Sequence, residues 1–264
     1  MGERGDLTRY AYWSERRVRS IAEDGGIDLS PRWRSKLAVS VPLLNSTAEF
    51  EREPRGLFRN EIADRIERAI GDLAVEDFVT PPRVRFAKGR GQVEFTHLTG
   101  CRPPRVVVGV RSVASDGSRV AVCLFGSTDN LAGFVSAGEQ YVGAGSGASS
   151  SGSSISSWLV SGFPEDRSEP IDAQSISREA VAVAFDNGPG DGGPSRRDRE
   201  QPEFSFDQVT DSEWFAEIYS DVVLVPDSWT GRTSVDRVLI GAPLWVRTPR
   251  GRADRRRAMN ATGD

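Results

Sequence analysis

The stretch RVVVGVRSVASDGSRVAVCLFGSTDN, Arg105–Asn130, carries the strongest fold signal in the chain. Two β-branched runs flank Ser115-Asp116-Gly117, and Asp-Gly supplies the positive φ that a tight hairpin turn needs. Antiparallel strands are therefore expected over 105–113 and 119–126. Val106, Val108 and Val110 alternate onto one face, and Val107 and Val113 onto the other, which predicts burial on both sides. The second strand stops abruptly at a small polar loop, Gly126 to Asn130.

Before the hairpin, 83–88 and 92–97 predict two further strands, with Lys88-Gly89-Arg90-Gly91 as the turn between them. The helical spacing of Ile62, Ile66, Ala69, Ile70 and Leu73 predicts a helix over 56–74. The alternation in LAVSVPLL predicts a strand at 37–44. TRYAYW (8–13) reads as a short aromatic strand. It leads into a helix with Ser14 as N-cap and Gly25 as the left-handed residue after its end. Tyr10 and Tyr12 should share a face.

After the hairpin, the Gly/Ser-rich run 142–157 and the stretch 188–202 read as mobile loops. Asp172 is placed to cap a helix over 173–186. Thr210-x-x-Glu213 matches a capping box opening a helix that carries Trp214, Phe215, Ile218, Val222 and Val223. VDRVLIGAPLWV (235–246) predicts the last strand. Pro243 lacks an amide donor and points to a sheet edge or a bulge there. The fold class expected is α+β, a mixed or mainly antiparallel sheet with helices packed on it. Residues 8–247 form the domain, between a disordered N-terminus (1–7) and a disordered Arg-rich tail (248–264).

The chain has 264 residues, 38% of them apolar, and a formal net charge of −4. That balance predicts neither a nucleic-acid nor a membrane partner. No run of 18 apolar residues and no apolar leader is present, so the expected location is cytoplasmic. Of 34 basic residues only Lys36 and Lys88 are lysine, a bias typical of GC-rich coding. Cys123 sits in an apolar run and reads as a buried small hydrophobe. Cys101 is the only other cysteine.

Several chemistries lack their residues. His97 is the single histidine, too few for a multi-His zinc site, and there is no Cys-x-x-Cys pair. No Gly-x-Ser-x-Gly elbow accompanies it. Neither a Walker A motif nor the dinucleotide fingerprint occurs; Gly143-x-Gly145-x-Gly147 has the wrong spacing and runs into serines. No metal, cofactor or catalytic residue is therefore assigned, and enzyme activity is not the favoured expectation.

Three stretches remain as ligand-site candidates. The loop Gly126-Ser127-Thr128-Asp129-Asn130 gathers hydroxyl, carboxylate and amide groups at a strand end, where glycine lets a ligand approach the backbone. The same residues also make ordinary turns and caps. Tyr12 and Ser14, in Tyr10-Ala-Tyr12-Trp13-Ser14, offer an aromatic face and a hydroxyl. Gly241 lies in Ile240-Gly-Ala-Pro-Leu-Trp245, where a bulge would re-aim side chains.

In their order, these stretches carry a resemblance. Tyr-x-Tyr-x-Ser, a Leu-x-Val-Ser-Val strand, Phe-Gly-Ser-Thr-Asp-Asn and a closing Ile-Gly-Ala-Pro-Leu-Trp-Val resemble a family of uncharacterised actinobacterial proteins grouped as domains of unknown function. The resemblance spans 8 to 247. It implies a sensor or adaptor role in bacterial signalling or conflict loci and no particular chemistry. The expected function is non-catalytic binding or sensing of a small molecule, with nucleotides included. A protein-interaction module comes next, and a hydrolase that works without histidine third.

Overall fold

The computed structural model describes residues 9–29, 58–79, 82–98, 105–132, 151–161, 171–185, 206–225 and 235–249. The expected strand at 37–44, Cys101, residues 142–150, the loop 188–202 and the tail from 250 lie outside them. Chain contacts form two compact units, residues 1–15 with 72–264, and residues 16–71.

In the smaller unit, α1 (Glu15–Asp24) buries Val18 and Ala22, and α2 (Arg59–Ile70) buries Ala63, Ile66 and Ile70. The α2 stripe is rotated from the expected one, and Leu73 is left exposed. The left-handed residue after α1 is Gly26, at φ 62°, one position later than expected. Its neighbours close the helix, with the Gly25 amide on the Ile21 carbonyl and the Ile27 amide on the Ala22 carbonyl.

The larger unit holds β1 (Tyr10–Trp13), β2 (Ala74–Val75), β3 (Phe86–Leu98), β4 (Arg105–Val113), β5 (Arg119–Ser127), α3 (Gly152–Val160), α4 (Ala173–Phe185), β6 (Phe206–Val223) and β7 (Arg237–Arg247). The α+β class holds, but the sheet is a closed barrel. β3, β4, β5, β7 and β6 follow one another around it, and β6 pairs back onto β3. Within that ring the pairs are antiparallel except β5 with β7. This cyclic order is the plan of a five-stranded Greek-key barrel of the OB type. Short β1 extends the sheet beside β7, and β2 beside β3.

Closure follows from two-sided burial. Val106, Val108, Val122, Leu124, Trp214 and Leu239 come from four strands and meet in one buried interior cluster. The alternate residues Val107, Ala121, Cys123, Phe125, Val238 and Ile240 pack outside against α3 and α4. The Asp116-Gly117 hairpin is as expected, with Gly117 at φ 88° and the Ser118 amide on the Asp116 carboxylate. Asp172 caps α4, its Oδ1 accepting from the Ser175 amide at 2.7 Å. That bond holds its carboxyl below the usual range. Burial pushes the Cys123 thiol far up, and it packs as a small apolar side chain.

Five further expectations change. Val113, expected on a buried face with Val107, is 66% exposed at the end of β4. Lys88–Gly91 is not a turn: β3 runs straight through it, because Gly89 admits the Trp214 ring where a Cβ would sit 2.9 Å from an indole carbon. The helix expected from Thr210 is the long strand β6, in which Trp214, Ala216 and Ile218 alternate into the barrel. Its apolar residues suit both periods, and pairing on both sides selects the strand. The expected loop 142–157 contains the start of α3, which buries Ile155 and Leu159 and is capped by Ser151. Finally, β7 is a central strand, and every one of its residues is buried. Pro243 is tolerated because one partner ends there: β5 pairs as far as Gly241 and β1 begins at Trp245. The register with β6 also slips between Phe215 and Ala216, as the bulge expectation required.

Candidate functional site

The end of β5 builds a small polar structure. Ser127 Oγ accepts from the Asp129 amide at 3.2 Å and donates to Asp129 Oδ2 at 3.0 Å. It thereby caps the single 3-10 turn Thr128–Asn130. Thr128 is buried, Asp129 is exposed, and Ser127 and Asn130 lie between. Asn130 Nδ2 donates to the Tyr12 phenol oxygen at 3.0 Å.

Tyr12 reaches this loop from the other end of the sequence. It pairs with Val246 on β7 and bridges to Leu131, and the Ala132 amide donates to the Ala11 carbonyl. Its ring fills the barrel interior and its hydroxyl lies over Gly126, where a Cβ would be 2.3 Å from the oxygen. Six of the eight candidates therefore gather at the end of β5: Gly126 and Asn130 lie against the Tyr12 phenol, and Ser127, Thr128 and Asp129 form the adjoining turn. Ser14 is buried two residues further on, its amide on the Leu244 carbonyl at 2.8 Å. Gly241 stands apart, pressed against the β6 backbone, where a Cβ would be 2.1 Å from the Glu217 carbonyl oxygen.

Tyr10 does not share the Tyr12 face. The β1 register slips between them, and Tyr10 sets its ring edge-on to Trp13 at 5.0 Å. Trp13 stacks on Trp245 at 5.8 Å, and Trp245 on Phe215 at 4.8 Å. These aromatics serve sheet packing. His97 lies in β3 opposite Val106.

A second polar cluster is fully buried. Arg237 makes a bidentate pair with Asp221, with Nε–Oδ1 at 2.7 Å and Nη2–Oδ2 at 2.6 Å, and also donates to the Phe78 carbonyl. Asp221 accepts from the Arg83 and Val84 amides as well. Burial pushes the Asp221 carboxyl up, but the guanidinium and the two amides outweigh it and hold it below its usual value. Arg83 is held at φ 108°, so this pair clamps a strained segment onto β6 and β7.

The larger unit is thus a closed β-barrel flanked by helices. No family model, no curated protein and no solved structure matches the chain. Among the described residues there is no cluster of three metal-ligating side chains and no helix long and apolar enough to cross a membrane. Sequence reasoning missed a further place, on β3 and β6. There the buried Ser212 and Trp214 stand opposite Gly91 and Gly89. The only signal was the small-residue alternation Gly89-x-Gly91, which also suits a turn.

Proposed function

We propose that the barrel is a non-catalytic binding or sensing domain that takes a small polar molecule at the rim formed by Ser127, Asp129 and Asn130. The observation that carries this is the convergence of Tyr12 and the 126–130 loop, 118 residues apart at the Asn130–Tyr12 bond, on one barrel end. Barrels of this plan bind oligonucleotides on the outer face of their second and third strands. Here that face, on β4 and β5, is buried under α3 and α4, which favours a ligand at the rim. The exposed Asp129 carboxylate accepts hydrogen bonds and repels phosphate. Ligands rich in hydroxyl or amine donors, such as nucleosides, fit better than nucleotides. Ser127 spends its hydroxyl on a surface carboxylate inside its own turn, which lends nothing to a hydrolase.

The test is a thermal-shift screen with nucleosides, sugars and amines on the wild type and on Asp129→Asn. One class should raise the melting midpoint of the wild type and leave the variant unmoved. Equal behaviour of both proteins with every probe would remove the rim as a site.

An interaction module is the second reading, favoured by one observation. Gln174 holds the end of β6 through the Val223 carbonyl (2.8 Å) and the Val225 amide (3.1 Å). Val223 and Val225 remain 52% and 62% exposed there.

A further inference from the structure

Among the described residues, four buried side-chain polar atoms have no hydrogen-bond partner: Thr96 Oγ1, Ser177 Oγ, Ser212 Oγ and Trp214 Nε1. Two of them are neighbours. Ser212 and Trp214 are alternate residues of β6, so both point to the same side of the strand, and Trp214 belongs to the interior cluster. Across the ladder stand Gly91 and Gly89. The four positions make one patch of the inner wall, and three of them carry a small side chain or none.

The local backbone is built around this patch. The β3–β6 register slips between Gly91 and Val93, and Asp211, beside Ser212, is held at φ 52°. Such a conformation is strained for a non-glycine residue. It is retained here by a bidentate bond of Arg90 to the Asp211 carboxylate, at 2.8 and 2.6 Å. At the bulge the half-buried Gly91 faces open space. Gly89 is filled by the indole, but no atom lies within 4 Å of the position a Cβ would take on Gly91.

A buried N–H without a partner loses its water and gains nothing in return. Native structures pair nearly all such groups. Among the described residues no acceptor reaches either group, so an acceptor from outside the chain would complete them. An indole N–H only donates, whereas a serine hydroxyl donates or accepts. The occupant must therefore offer an acceptor oxygen or nitrogen. The surrounding interior is Val93, Phe95 and Ala216, all apolar. The cations Arg90 and Arg247 are already engaged by Asp211 and Glu213. A carboxylate or phosphate would be desolvated there without a counter-charge, so the acceptor belongs to a neutral group.

We propose that the inner wall at Gly89, Gly91, Ser212 and Trp214 is a binding site for the neutral carbonyl or amide group of a small organic molecule, with Trp214 Nε1 as the donor that recognises it. The site is separate from the Tyr12 rim, and neither depends on the other.

The experiment follows the Trp214 indole proton by NMR in the full chain labelled with 15N-tryptophan, its resonance assigned with Trp214→Phe. The probes are N-methylacetamide, 2-pyrrolidinone and uracil, with acetate as the charged control. The expected result is a saturable downfield shift of this proton with a neutral probe and not with acetate. Ser212→Val should weaken that probe by about tenfold, the scale of one lost hydrogen bond to a buried group. If Ser212→Val does not fold, Ser212→Ala tests the same contact. A resonance that no probe moves, with a cross-peak to bound water only, would overturn the proposal. So would saturation by acetate at the same concentration.

Discussion

Around Tyr12 and around Trp214 the barrel meets the same problem, a polar aromatic tip turned into an apolar interior, and resolves it differently. The Tyr12 hydroxyl receives the Asn130 amide, and Ser127 and Asp129 bond each other alongside. The Trp214 indole and the Ser212 hydroxyl, equally buried, have no partner among the described residues. The first cluster is complete as a piece of structure, so what it offers a ligand is its exposed rim. The second is incomplete, and its donors await an acceptor. Hydrogen bonds already made stabilise a fold, while a buried group left without one calls for an explanation, which the proposed ligand supplies.

The largest expected effect comes from the most fully satisfied group. Asp221→Ala would leave the buried Arg237 guanidinium without its carboxylate, costing about 3–5 kcal/mol by chemical denaturation. The folded-state carboxyl is depressed below its usual 3.8. Its stabilisation is therefore fully present above that value and is lost as pH falls through the lower folded value. Wild type should lose stability on acidification below pH about 4, where unfolded aspartates protonate, and Asp221→Ala should lose less. Parallel acid profiles of the two proteins would break the contrast between satisfied and unsatisfied burial at its strongest point.

Gly126→Ala comes next. The added methyl meets the Tyr12 hydroxyl, and the forced repacking costs about 1–3 kcal/mol. A variant as stable as wild type would show that the Tyr12 tip is not tightly seated. The smallest and most pointed pair is Ser127→Ala against Ser212→Ala. The first removes a cap and should cost about 0.5–2 kcal/mol. The second removes a hydroxyl that bonds nothing, and should fall within about 0.5 kcal/mol of wild type or be stabilising. Equal losses at both positions would mean that Ser212 already has a partner.

Much of this was legible in local pattern. The Asp116-Gly117 hairpin, the strand entering Ser14 and the Asp172-capped helix each depend on neighbours within a few residues. The polar loop after Phe125 was also legible as a place, with both of its meanings, turn and site. Trp214 and Ser212 were not, because FAEIYSDVV satisfies a helical stripe as well as a strand alternation. Lys88–Gly91 misled for a related reason: glycine marks a turn and a close approach alike, and only the Trp214 ring across the ladder distinguishes them.

The sequence by itself determined the α+β class, the central hairpin and the two-sided burial of Val106, Val107, Val108 and Val110, though not of Val113. Those depend on composition and short-range periodicity. Only the tertiary structure decided that the sheet closes, that Pro243 lies in a central strand, that Tyr12 meets Asn130 and that Trp214 lacks a partner. Each of these depends on which distant strand lies alongside, and long-range pairing leaves no periodic trace in the strand that is paired.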